Sequence, residues 1–188
     1  MRNLLGALIG VIFGSTLIVW MLNVPDPVFS WPYNYIWFLL SGSYVLRDTM
    51  SGILVSTTQL NYLVTWIIIG LILGLVSKKG WNTFRSIIWT GIILGIISLA
   101  YILLTDVVYW IAPTRNMDLL THFVTTILVS LLALPSAIIM TVAISHIMKQ
   151  SEEPIPDKIE TSCECGAVFK SNPLICSECG RQLREVID

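Results

Sequence analysis

The chain has 188 residues, of which 55% are apolar and only 12% are charged. Soluble domains carry about 25% charged residues, so this composition excludes an ordinary soluble protein and predicts an integral membrane protein. The net charge of −1 gives no support for a nucleic-acid partner, because proteins that bind nucleic acid carry a clustered basic face.

The charged residues are concentrated near the C-terminus. Residues 149–188 hold thirteen of the twenty-three, whereas several long upstream stretches hold none. About 20 apolar residues in a helix cross a hydrocarbon core roughly 30 Å thick. We therefore expect an all-α bundle of four helices embedded in the lipid bilayer, followed by a soluble tail. The predicted spans are residues 4–22, 60–76, 86–104 and 121–147.

Small residues recur four apart in every predicted span. They are Gly6, Gly10, Gly14, Gly70, Gly74, Gly91, Gly95, Ala133 and Ala137. This spacing places a strip of small side chains on one helix face and lets a second helix approach closely. We expect these residues to pack helices together, either within one chain or between identical subunits of a homo-oligomer.

The least regular region is residues 23–59, between the first two spans. Its prolines, Pro25, Pro27 and Pro32, interrupt any helix that continues from the first span. Residues 27–46 are uncharged, so a further crossing is one interpretation. We expect instead an external loop with a re-entrant segment at residues 33–46, because a fifth crossing would separate Arg2 from the basic turn after the second span.

That basic turn contains Lys78, Lys79 and Arg85. Lys and Arg in short loops are retained on the cytoplasmic side, so the turn predicts the orientation of the whole bundle. With four spans, both termini are then cytoplasmic in a cell membrane. The stretch at residues 149–160, rich in charge and proline, is typical of a flexible linker.

The predicted spans contain no Asp, Glu, Lys or Arg, which leaves two histidines as candidates for chemistry in the membrane. His122 and His146 are 24 positions apart, about 36 Å along a helix, and cannot share a site. The simplest interpretation is an interfacial polar role for each. A sharper hypothesis is that Asp118, one turn before His122, orients its ring.

All four cysteines lie in the tail, at Cys163, Cys165, Cys176 and Cys179. Two thiolate pairs, each followed by glycine, suit a tetrahedral zinc ion. Three alternatives remain open: a redox pair at Cys176 and Cys179, an iron–sulfur cluster, or cysteines that bind nothing. A redox pair is disfavoured because the short tail lacks a strand-to-helix context.

The order Cys-Gly-Ala, then an apolar residue before Cys176, then Cys-x-x-Cys-Gly-x-x-Leu ending at Leu183, resembles the short zinc-ribbon family. The resemblance covers residues 163–183 and none of the membrane part. It implies a small ribbon at residues 161–188, with a structural zinc ion held by all four cysteines. One departure is the Cys-x-Cys spacing at Cys163 and Cys165, where zinc ribbons have Cys-x-x-Cys.

No catalytic motif appears in the sequence, so an enzyme is disfavoured. The leading hypothesis is a membrane subunit or adaptor whose cytoplasmic ribbon docks a protein partner or a neighbouring subunit. The alternative is a small transporter or channel component that assembles through its glycine-rich helix faces. A third hypothesis is a lipid-facing enzyme that uses His122 and Asp118.

Overall fold

A computed structural model of the chain describes most of the sequence as two compact units, residues 1–149 and residues 150–188. The described residues are 2–26, 29, 31–77, 80–151, 161–170 and 173–183. Lys78 and Lys79 of the predicted basic turn, and residues 152–160 of the predicted linker, lie outside these ranges. The first unit is helical, and the second contains a small antiparallel sheet.

The helices follow the long apolar segments of the sequence. They are α1 (Arg2–Leu22), α2 (Trp37–Arg47), α3 (Thr49–Leu54), α4 (Gln59–Val76), α5 (Gly80–Thr105), α6 (Arg115–Ser130) and α7 (Leu134–Ser151). Short 3-10 helices lie at Tyr33–Ile36, Val107–Trp110 and Leu131–Ala133. Among the described residues, four helical stretches are long and apolar enough to cross a membrane: Arg2–Leu22, Gln59–Val76, Gly80–Thr105 and Arg115–Met148. The prediction of four such stretches is confirmed.

Helices α1 and α4 are antiparallel neighbours. The Arg2 guanidinium donates a hydrogen bond of 2.7 Å to the carbonyl of Val76, at the end of α4. At the opposite end, the Asn61 amide donates to the carbonyl of Met21. We call these the Arg2 end and the Gln59 end of the bundle. Because α1 finishes and α4 begins at the Gln59 end, residues 23–58 make no net crossing of the bundle.

Residues 33–54 form a helical hairpin that packs inside the bundle, and they include the predicted re-entrant segment at residues 33–46. Helix α2 contacts both α1 and α5. The hydroxyls of Ser15 and Ser43 are 2.9 Å apart and buried between α1 and α2. At the start of α3, Thr49 accepts a 2.9 Å hydrogen bond from the Trp66 indole on α4. The eleven residues of α2 extend only about 16 Å, too short to cross a bilayer.

The small-residue faces lie against other helices of the same chain. A methyl group added at Gly10 would lie 3.4 Å from the side chain of Leu73 on α4. One added at Gly74 would lie 2.6 Å from the carbonyl oxygen of Ala137 on α7. One added at Gly91 would lie 2.7 Å from the Cα of Ile127 on α6. The other glycines of the set behave alike, with Gly6 and Gly14 against α4, Gly70 against Ala133, and Gly95 against α6.

The fourth stretch is interrupted by a 3-10 turn just before Pro135. Proline has no backbone N–H, so the carbonyl of Leu131 lacks its usual helical donor four residues later. The backbone N–H of Leu134 donates to that carbonyl instead, which tightens residues Leu131–Ala133 into a 3-10 turn. Ser136 donates to the carbonyl of Ala133 at 3.2 Å, so local donors replace the missing bond.

In the second unit, β1 (Thr161–Ser162) pairs antiparallel with β2 (Val168–Phe169), with Thr161 opposite Phe169. Further along, Ile175 and Gln182 form an isolated antiparallel bridge. The described part of this unit therefore consists of two short hairpins, and each hairpin turn contains two cysteines.

The close approach of α2 to α1 at Gly42 generates the first prediction. A methyl group at Gly42 would collide with the backbone of Ser15, which cannot move aside as a side chain can. We expect Gly42→Ala to destabilise the protein by about 1–3 kcal/mol, partly offset by the roughly 0.5–1 kcal/mol that alanine gains in a helix. The measurement is the midpoint of thermal unfolding in detergent.

Gly80→Ala is the matched control, because an added methyl group at Gly80 has nothing within 4 Å. We expect its midpoint to equal or exceed that of the unsubstituted protein. Equal midpoints for the Gly42 and Gly80 variants would show that α1 and α2 are not packed as described.

Candidate functional site

The four cysteine sulfurs of the second unit lie together. All four Sγ atoms are within 4.8 Å of one another. The Sγ atoms of Cys163 and Cys179 are 3.5 Å apart, and those of Cys165 and Cys176 are 3.6 Å apart. Sulfurs arranged tetrahedrally at about 2.3 Å from a zinc ion are about 3.8 Å apart. The cluster therefore has the ligand type and the spacing of a four-coordinate metal site.

Backbone hydrogen bonds shape the first cysteine turn. The N–H of Cys163 donates to the carbonyl of Ala167 at 2.9 Å, and the N–H of Gly166 donates back to the carbonyl of Cys163 at 2.9 Å. Gly166 has a φ of +92°, in the region that favours glycine. This turn folds the chain back directly after Cys165, so both of its sulfurs lie on one side.

The second cysteine turn has the same construction with one more residue. The N–H of Cys176 donates to the carbonyl of Arg181 at 2.8 Å, and the N–H of Gly180 donates to the carbonyl of Cys176 at 2.9 Å. Gly180 has a φ of +72°. Each of these bonds spans one residue more than its counterpart in the first turn. The Cys-x-Cys spacing is thus accommodated by a shorter turn, and Cys163 stays within the cluster.

The cluster has two buried and two exposed cysteines, and their thiols differ in acidity. The backbone N–H of Cys179 bonds to the sulfur of Cys176 and, with other hydrogen bonds, lowers the pKa of Cys176 to about 7. A hydrogen bond from Ala167 lowers the pKa of Cys165, but bonds with the three neighbouring sulfurs outweigh it and raise that pKa to about 12. Four thiolates packed this closely repel one another, and a bound cation removes that repulsion.

An ion pair links the two turns at the protein surface. Arg181, just after the second turn, pairs with Glu164 of the first turn, and both side chains are largely exposed. Exposed ion pairs contribute little to stability, so this pair orients the two turns more than it holds them together.

Comparison of the chain with models of known protein families, with curated proteins and with solved structures gives no match. The assignment of the four cysteines as metal ligands therefore depends on their own geometry.

His122, the sequence candidate in the membrane, is buried between α6 and α5 with 2% of its surface exposed. Its Nε2 atom lies 2.9 Å from the carbonyl oxygen of Gly95 and 3.0 Å from the hydroxyl of Ser98. A carbonyl oxygen only accepts hydrogen bonds, so Nε2 carries the proton and donates it to Gly95. This nitrogen is therefore not free to take a proton from Ser98, and the contact joins the two helices.

The other two polar candidates from the sequence are Asp118 and His146. The carboxylate of Asp118 accepts a 2.7 Å hydrogen bond from the hydroxyl of Thr114, one turn earlier on the chain. His146 is exposed on α7. Asp118 is therefore hydrogen-bonded to Thr114 at the start of α6, whereas the ring of His122 is hydrogen-bonded to α5.

Sequence reasoning missed a charged pair that the α2–α3 hairpin carries into the bundle. Arg47 and Asp48 lie at the turn between the two helices, with Arg47 Nε 3.8 Å from Asp48 Oδ1. A signal was present, because these two residues are the only charged ones in residues 27–77. The position of the two charges could not be predicted, because it depends on the fold of residues 33–54, which resemble a loop in sequence.

The cysteine cluster generates the second prediction. We expect the purified chain to hold one metal ion, and Cys176→Ser to lower the metal content at least about tenfold, because a buried ligand is lost. The measurement is elemental analysis of metal per chain. Ser177→Ala, which changes an exposed neighbour in the same turn, should keep the full content. Equal metal in both variants would contradict the assignment of Cys176.

Proposed function

We propose that this protein is a non-enzymatic integral membrane subunit or adaptor whose cytoplasmic zinc ribbon docks a protein partner or a neighbouring subunit. The observation that carries the proposal is the closed cluster of four cysteines, which lies in a compact unit separate from the helical bundle. A bundle holds the chain in the membrane, and a metal-stabilised module of this size is suited to binding.

The chemistry of the donor set favours structural zinc. Four thiolates complete the tetrahedral coordination of zinc and leave no open position for a substrate or a water molecule. An iron–sulfur cluster also uses four cysteines, but with spacings that differ from those here. A unit of this size lacks a sufficient hydrophobic core, so the metal would supply much of its folding free energy.

Exposed apolar side chains on the same unit support the docking role. Val168 on β2 and Ile175 on the second hairpin are 63% and 60% exposed, and Leu174 beside it is 51% exposed. Large apolar side chains that stay exposed on a small unit are typical of protein contact sites. We therefore expect a partner with an apolar surface that covers Val168 and Ile175.

Charge and helix direction support the proposed orientation. The Arg2 side chain bonds to Val76, the last residue of α4, and Lys78 and Lys79 follow Val76 closely in the sequence. Helix α7 runs towards the Arg2 end, because the hydroxyl oxygen of Thr141 on α7 lies 2.9 Å from the hydroxyl oxygen of Thr83 at the start of α5. The rule that Lys and Arg stay inside then favours a cytoplasmic N-terminus and a cytoplasmic tail.

The glycine faces give no support to the alternative, a transporter or channel component assembled from several chains through those faces. Each helix-packing glycine of the set lies against a helix of its own chain. A second chain would have to use other surfaces.

The third prediction tests the orientation and uses the native cysteines, all of which lie in the tail. A membrane-impermeant maleimide applied to intact cells should leave the chain unlabelled, and permeabilisation followed by metal chelation should expose the thiols. Asn116→Cys, at the exposed start of α6 and at the Gln59 end, is the positive control and should be labelled in intact cells. Labelling of the native chain in intact cells would reverse the orientation.

The fourth prediction separates docking from folding of the tail. A Val168→Ser, Ile175→Ser double variant removes exposed apolar groups and leaves the four cysteines in place. We expect it to keep its zinc but to lose about 90% or more of its co-purifying partner, because apolar anchors dominate the binding energy of an interface. The measurement is quantitative mass spectrometry of proteins purified with the full chain in mild detergent, together with metal analysis.

Val108→Ser is the matched control, since Val108 is 70% exposed in the first unit. It should keep both zinc and the partner. If the double variant keeps every companion, the tail does not dock them, and their binding site lies elsewhere in the chain.

A further inference from the structure

One exposed face of α5 combines a single arginine with large apolar side chains. Trp81, Arg85, Trp89 and Ile96 follow one another at intervals of four, four and seven residues, so they lie on the same side of the helix. The three apolar side chains are 64%, 41% and 56% exposed, and Arg85 is exposed as well. We call these four residues the Arg85 face.

Contacts with α4 place Arg85 at the Arg2 end of the bundle. The hydroxyl oxygen of Ser86, the next residue, lies 3.3 Å from the hydroxyl oxygen of Ser77, which directly follows α4. Arg2 bonds to Val76 at the same end. The 18 residues of α4 extend about 27 Å, close to the thickness of the hydrocarbon core. A bundle that spans a bilayer therefore holds Arg85 at the edge of the core, where the lipid headgroups begin.

The apolar part of the Arg85 face extends from this edge towards the middle of the bilayer. Helix α5 begins at Gly80, so Trp81 lies one turn outside Arg85 and Trp89 one turn inside it. Ile96 lies eleven positions after Arg85, about 16 Å deeper. The hydrocarbon of one leaflet is about 15 Å deep, half of the core. The face therefore has the direction and the length of acyl chains whose headgroup lies at Arg85.

Arg85 is the one arginine among the described residues with neither a hydrogen bond nor an ion pair. The other four each have a polar partner, and they are Arg2, Arg47, Arg115 and Arg181. The guanidinium of Arg85 lies over the ring of Trp81, 5.5 Å from the ring centre. Stacking of this kind uses the flat face of the guanidinium and leaves its N–H donors, which point outwards in its plane, available to a ligand.

A second aromatic ring supports the position of the guanidinium. The rings of Trp81 and Phe84 are stacked, with centres 5.7 Å apart and planes inclined by 22°. Tryptophan rings are enriched at the headgroup level of a membrane. The stacked pair limits the movement of the Trp81 ring, and that ring in turn holds the Arg85 guanidinium beside the headgroups.

The charge on the helices at the Arg2 end is entirely basic. Helices α1, α4, α5 and α7 contain no Asp or Glu, and their charged residues are Arg2, Arg85 and Lys149. All three lie within six residues of a helix terminus at this end. These helices offer no carboxylate to the ammonium of a zwitterionic headgroup, whereas a headgroup with net negative charge meets only cations on them.

We propose that the Arg85 face binds one anionic phospholipid in the leaflet at the Arg2 end of the bundle. The lipid phosphate accepts two parallel hydrogen bonds from the Arg85 guanidinium. The acyl chains lie over Trp89 and Ile96. The site does not depend on the docking role of the tail or on the orientation of the bundle, because it requires only a leaflet at the Arg2 end.

The test is native mass spectrometry of the full-length protein in mild detergent, with phosphatidylglycerol and phosphatidylethanolamine of identical acyl chains. We expect one phosphatidylglycerol to be retained per chain, with at least about fivefold preference over phosphatidylethanolamine. Arg85→Gln should lower the retention of phosphatidylglycerol about tenfold or more, because the charged donor is lost. Arg85→Lys should keep part of the retention, since it keeps the charge but not the paired donors.

Arg115→Gln is the matched control, because Arg115 also lies over a tryptophan ring, 4.9 Å from the centre of Trp110, but at the Gln59 end. Its guanidinium already donates to the carbonyl of Trp110. This variant should retain as much phosphatidylglycerol as the unsubstituted protein. Unchanged midpoints of thermal unfolding will show that the variants are folded, as expected for an exposed Arg85 with no hydrogen bond to the described residues.

Four outcomes would overturn the proposal. Equal retention of phosphatidylglycerol by Arg85→Gln and by the unsubstituted protein would remove the site. Equal retention of both lipids would show that the net charge of the headgroup is not recognised. Release of the lipid by equimolar glycerol phosphate would identify a soluble phosphate as the ligand. A dimer that Arg85→Gln dissociates would identify a second copy of the chain as the occupant of the Arg85 face.

Discussion

The fold depends on one constraint, which is that a chain inside a bilayer must pair its backbone polar groups with itself because no water is available. Uninterrupted helices meet this requirement along α1, α4 and α5. Where the chain cannot stay helical, as at Pro135, a 3-10 turn and a serine hydroxyl supply the missing bonds. Buried hydroxyls follow the same rule, since Thr65 and Thr90 each donate to the carbonyl four residues earlier. The hairpin α2–α3 keeps its backbone bonds internal in the same way, which lets a segment too short to cross a bilayer pack inside the bundle.

The number and place of the apolar stretches could be predicted because length and hydropathy decide them, and these are local properties. Of the α2–α3 hairpin, sequence predicted only residues 33–46, as an uncharged segment with re-entrant character. Its core contact consists of Gly42 and Ser43 against Ser15, and such small polar residues resemble a loop until a partner helix is known. For the same reason sequence reasoning missed the charged pair at the hairpin turn, since its position depends on the bond between Thr49 and Trp66, which sequence does not reveal.

The cysteine cluster was easier to predict than the α2–α3 hairpin, because residue type and spacing in the sequence are enough to indicate a metal site. Sequence alone left open how Cys163-x-Cys165 could present two sulfurs as Cys176-x-x-Cys179 does. The answer lies in the backbone, where each hydrogen bond of the first turn closes one residue earlier than its counterpart, while a glycine with positive φ follows the second cysteine in both. The spacing that departs from the zinc-ribbon pattern thus changes the size of the turn and keeps the number of ligands. A metal that requires four sulfurs at equal distance tolerates this change, because the sulfurs and not the turns define its geometry.

The small size of the second unit and its metal cluster both bear on its exposed apolar side chains. A described segment of about twenty residues has too little interior to bury Val168 and Ile175 in any arrangement, so their exposure is expected whatever the unit does. A bound metal ion changes what the unit needs in order to fold. Because four thiolates and a zinc ion can hold the two turns together, the stability of the unit no longer depends on its apolar side chains, and these are free to differ without loss of the fold. Side chains that folding does not need, yet that remain large and apolar in water, require another reason, and contact with a partner supplies one.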